Sequence, residues 1–102
     1  MKTEVIMKRE LFGQEISQKS QSEFFSATDL VRAGDKWRLA NGLSVFNLTN
    51  YIRGLKTAEF IKEVESKYGK SIIMGRGRSA HTWVHPLIFI DIALAINPKL
   101  KV

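Results

Sequence analysis

Residues 71–96 read SIIMGRGRSAHTWVHPLIFIDIALAI, and the fold assignment turns on this stretch. Ser71-Ile72-Ile73-Met74 and Thr82-Trp83-Val84 are rich in β-branched and aromatic residues, as strands are. Gly75-Arg76-Gly77-Arg78-Ser79 between them is turn chemistry, so the segment predicts a β-hairpin with a basic tip. Pro86 suits the first position of a helix, where its missing N–H would have no partner anyway. His85 is then the expected cap, and the helix should run to about Ile96 before Asn97-Pro98 ends it.

Working back from the hairpin, two amphipathic helices are predicted. Asn47 reads as a cap for Leu48–Leu55, where Leu48, Tyr51, Ile52 and Leu55 recur at i, i+3, i+4 and i+7. The opposite face carries Thr49, Asn50, Arg53 and Lys56. A second helix is expected from Thr57, with Phe60, Ile61, Val64 and Tyr68 as its stripe and Gly69 as its stop. Joined around Lys56-Thr57, the two make a helix–turn–helix pair.

Earlier still, Ser26 is the expected cap of a short helix, with Asp29 three residues on at the capping-box position. Gly34 is read as its stop, and Asp35–Ala40 as a separate helical turn closed by Asn41-Gly42. Glu4–Phe12 and Glu15–Gln18 flank Gly13 and predict two short strands, followed by a polar loop over Lys19–Glu23. The expected architecture is α+β. An N-terminal β-hairpin precedes the helix pair, a basic wing follows it, and a closing C-terminal helix completes a winged-helix plan.

Length and composition fit that plan. At 102 residues the chain holds one domain, expected over 1–102, with a modest core. It has no cysteine, which excludes a disulfide scaffold, an iron–sulfur cluster, a zinc finger and a thiol nucleophile. The longest apolar run, Leu87–Ile96, is ten residues and contains Asp91, whereas a membrane span needs about twenty. The charged N-terminus lacks the apolar centre of a signal peptide.

Charge is unevenly placed. The net charge is +6, of which residues 52–102 supply +5 and residues 1–51 only +1. No acid falls between Glu65 and Asp91, while Lys67, Lys70, Arg76 and Arg78 do. Arginine's planar fork fits phosphate oxygens and the guanine edge, and flanking glycines let the backbone approach closely. A polyanion is the expected partner. The absence of an exposed aromatic series favours duplex over single strands.

Other chemistries fit less well. Gly75–Ala80 also matches G-x-G-x-x-A, but it leads into a strand, where a dinucleotide site needs a helix. His81 and His85 are four apart, yet on a strand they stand more than about 10 Å from each other. They read as a wing histidine near phosphate and a cap histidine. Asp91 is expected to be a hydrogen-bond hub for nearby backbone or the Trp83 indole. Trp37 and Trp83 read as packing residues. No catalytic residue, cofactor or metal is expected.

Several of these residues are also familiar. Ser26-Ala27-Thr28-Asp29-Leu30-Val31, Lys36–Gly42, Phe46-Asn47-Leu48, Glu59-Phe60-Ile61 and GRGR…TWVHPLIFIDIALAI resemble the KilA-N domain. That family occurs in bacteriophages, prophages and large DNA viruses and is related to the fungal APSES domain. The resemblance runs from Phe24 to Val102.

It implies a winged-helix-like fold that binds double-stranded DNA through the second central helix region and the wing. On this chain the wing is Gly75–His81, including Gly75, Arg76, Gly77, Arg78, Ser79 and His81. The helical contact region is Asn47–Lys56, with Asn50, Arg53 and Lys56 outward; Lys70 joins the basic set from the charge pattern. Ser79-Ala80-His81 stands where many relatives are richer in glycine. Relatives often carry a further C-terminal domain, so a longer parent protein is an expectation.

The expected function is a phage- or prophage-encoded regulatory DNA-binding module in the bacterial cytoplasm. The rival from another class is an antirepressor-like module that grips an acidic phage or host protein. A small nuclease built on His81, His85 and Asp91 would instead show chelator-sensitive cleavage. A regulatory protein of phage or host and a second copy of the chain are the further candidate partners, and no membrane is.

Overall fold

In the computed structural model, which describes residues 5–75 and 80–97, five strands and four helices share one core. Strands β1 (Ile6–Leu11) and β2 (Gln14–Lys19) pair antiparallel from Ile6↔Lys19 to Leu11↔Gln14. Phe12 and Gly13 between them both have positive φ, 55° and 71°, as two-residue hairpin turns require. The loop begins one residue later than expected, at Ser20, because Lys19 still pairs and its N–H donates to the Phe24 carbonyl.

A two-residue strand absent from the sequence reading, β3 (Phe25–Ser26), decides the topology. It pairs with β2 on one side and with β5 (Thr82–Val84) on the other. The latter pairs in turn with β4 (Ile72–Met74). The two hairpins therefore join in one antiparallel sheet of order β1-β2-β3-β5-β4.

Helix α1 (Ala27–Ala40) is one element of 14 residues, not a short helix followed by a separate turn. Gly34 is buried in its middle against α4 (Pro86–Ile96), where a Cβ would lie 2.7 Å from Ile96 Cγ2. Close helix approach, not chain reversal, is the reason for glycine there. The helix ends at Asn41, whose N–H bonds the Trp37 and Arg38 carbonyls. Arg38 also donates to Ser44 O at 2.6 Å and Ile96 O at 2.9 Å, tying the end of α1 to α4.

Helices α2 (Leu48–Arg53) and α3 (Leu55–Tyr68) are separated by Gly54 alone, two residues before the expected junction. Gly54 adopts ψ 142°, which breaks the helical path. Leu55 consequently leaves the apolar stripe and is 77% exposed. Leu48, Tyr51, Phe60 and Ile61 pack on the core, and Val64 belongs to it.

That core joins Ile16 of β2, Leu30 and Ala33 of α1, and Val84 of β5 to Ile88, Ile92 and Ile96 of α4. The last three recur at i, i+4 and i+8 and form the buried side of α4. Local caps match expectation. Ser26 Oγ accepts from Asp29 N at 3.0 Å, Asn47 Oδ1 from Asn50 N at 2.9 Å, and His85 Nδ1 from Leu87 N at 3.1 Å. Among the described residues, no helix is long and apolar enough to cross a membrane.

Candidate nucleic-acid interface

The predicted contact residues fall into two groups. In the first, Gly75 follows β4 and His81 precedes β5, and Gly75 N donates to His81 O at 3.0 Å. A Cβ on Gly75 would lie 2.9 Å from that same carbonyl oxygen, so any side chain would force the two backbones apart. Arg76, Gly77, Arg78 and Ser79 lie outside the described residues.

His81 is turned toward the start of α1. Its Nδ1 is 2.6 Å from Ser26 Oγ and 3.7 Å from Asp29 Oδ1, and its ring stacks on Trp83 with centroids 5.5 Å apart. His85 has separate surroundings, capping α4 with its ring stacked on Tyr68.

The second group surrounds Gly54. Asn50, Arg53 and Lys56 are all exposed, the first two on α2 and the third in the first turn of α3. That first turn has no acidic residue, and α3 has no side-chain cap. Its opening N–H groups and the local cations therefore present positive potential together. Lys70 is exposed on the connection from α3 to β4, between the two groups in sequence.

Behind the second group lies a groove of about 500 Å³, bordered by Lys56, Thr57 and Phe60 on one side and Asp91, Leu94 and Ala95 on the other. The Tyr51 hydroxyl donates to Asp91 Oδ2 at its floor. Burial first, then the bond to Asp91 and its negative charge, raise the Tyr51 hydroxyl well above the ordinary tyrosine range. Among the described residues, the Asp91 carboxylate is hydrogen-bonded as expected, but by the Tyr51 hydroxyl and not by nearby backbone or the Trp83 indole.

The sequence itself matches a known family. The family model of the KilA-N domain matches residues 11–102, nearly the whole chain. The chain belongs to the KilA-N domain family. Searches of curated proteins and of solved structures gave no match. KilA-N is a DNA-binding domain family and not an enzyme family. The match reaches back beyond Phe24 to Leu11, so β2 and its turn belong to the KilA-N segment.

Three contacts of this KilA-N chain escaped the sequence reading. Asp29 does more than serve the helix start: its Oδ2 accepts Ser17 N of β2 at 3.0 Å. Lys19 Nζ lies 4.7 Å from the Trp83 ring centroid, and Lys8 Nζ donates to Ser17 Oγ at 2.9 Å. Alternation along the first two strands was the available signal for the lysines. Nothing in the sequence pointed from Lys19 to Trp83.

Proposed function

We propose that residues 1–102 form a single double-stranded DNA-binding module, encoded by a phage or prophage and regulatory in role, acting in the bacterial cytoplasm. The observation that carries this reading is the antiparallel pairing of β4 with β5. It brings Gly75 onto His81, so the short connection between them carries Arg76 and Arg78. Used as a wing, that connection supplies two guanidinium groups to the phosphate backbone. Arg53 and Asn50 on α2 reach for base edges, while Lys56 and Lys70 add phosphate contacts.

A selection from random duplex at two salt concentrations tests this. Enrichment of a motif, with affinity falling as salt rises, is the expected result. Absence of duplex binding at low salt, together with saturable binding to an acidic protein, would transfer the basic surface to a protein partner.

A further inference from the structure

On the first two strands, Lys8, Glu10, Glu15, Ser17 and Lys19 share one face, because strand side chains alternate and the register sets Lys8 opposite Ser17. Buried Ile16 points the other way. Lys8 and Lys19 are diagonal neighbours on that face, about 7–8 Å apart at the backbone. Neither ammonium pairs with a carboxylate among the described residues. Lys8 is held by the Ser17 hydroxyl and Lys19 by the Trp83 indole, at a cation–π distance. The nearby Asp29 carboxylate is engaged by Ser17 N, Arg32 and His81 instead.

Trp83 links this face to the hairpin. It lies on β5 beside His81, which is joined to Gly75 where the arginine-bearing connection begins. A continuous path therefore runs from Gly75 through His81 and Trp83 to Lys19 and Lys8. At the other end of the face, Glu10 stands directly opposite Glu15. Like charges so placed repel each other and any phosphate that approaches.

We propose that Lys19 and Lys8 form a second phosphate-contacting patch, joined to Gly75 and His81 through Trp83, the platform that positions Lys19. This rests on the DNA-binding reading above. Phosphate contacts add affinity without sequence preference, so the patch extends the footprint and leaves readout to α2. The Glu10–Glu15 pair marks its limit.

Duplex affinity across a salt series, for the full chain and its variants, tests the patch. Lys8→Ala with Lys19→Ala should weaken all duplexes alike and reduce the log–log salt slope by about 1.8, two phosphate equivalents. Glu10→Gln with Glu15→Gln should tighten binding. On unaltered protein, duplex should shield Lys8 and Lys19 from amine acetylation while Lys36 on α1 still reacts. Should Arg76→Ala with Arg78→Ala lower the slope while the lysine variant leaves it unchanged and both amines stay reactive, the patch is refuted and the wing stands. Failure of the parent to bind duplex at all would overturn both.

Discussion

The Tyr51 hydroxyl donates to the Asp91 carboxylate, fastening α2 to α4 across forty residues of sequence. Helix α2 has no fully buried residue, so this bond and the packing of Leu48 and Tyr51 are what hold it. The helix that carries Asn50 and Arg53 is positioned by a polar contact at its back.

Tyr51→Phe should therefore cost about 1–3 kcal/mol in chemical denaturation, since it strands a half-buried carboxylate. Asp91→Asn keeps an acceptor and should cost less than Asp91→Ala. For the Asp91 variants, binding measured on folded protein should change less than stability. Loss of binding with parental stability would instead make Asp91 a contact residue.

The same pair sets a pH dependence. The folded chain holds the Tyr51 hydroxyl protonated above its ordinary value, so its contribution is complete below about pH 10. Above that the unfolded chain ionises first and stability falls. Alkaline unfolding monitored by circular dichroism should show this loss in the parent and a flatter limb in Tyr51→Phe.

Gly34→Ala tests the approach of α1 to α4. Overpacking against Ile96 costs about 1–3 kcal/mol, while alanine's helix propensity returns about 1. A net loss is expected in the parent. In an Ile96→Ala background the contact is gone, and the same substitution should become stabilising. Equal effects in both backgrounds would deny the steric role.

Ser26→Ala removes an oxygen that caps α1 and meets His81 at once. A stability loss of about 0.5–2 kcal/mol is expected. The His81 ring resonances should shift with it in NMR spectra recorded at one fixed pH. A loss with unmoved His81 signals would leave the cap alone as the cause.

The two proposed contact groups should separate under a salt series. Arg76→Ala with Arg78→Ala should weaken all duplexes and lower the salt slope by about 1.8. Arg53→Ala should cost about 1–3 kcal/mol on the selected site and much less on random duplex. Equal loss on both would make Arg53 a phosphate contact.

The sequence by itself determined the features made within a few residues. Ser26, Asn47 and His85 cap the helices they were expected to cap, because a cap reaches only two or three residues along the chain. The strands Ile72–Met74 and Thr82–Val84 were legible for the same reason. Where a local signal had two physical causes, the sequence misled: Gly34 stops no helix, and Gly54, not Thr57, divides α2 from α3. Only the tertiary structure decided that two-residue β3 joins both hairpins in one sheet, and that Tyr51 serves Asp91 and Lys19 meets Trp83. Those contacts link residues far apart in the chain, and their energy exists only once the core has brought the elements together.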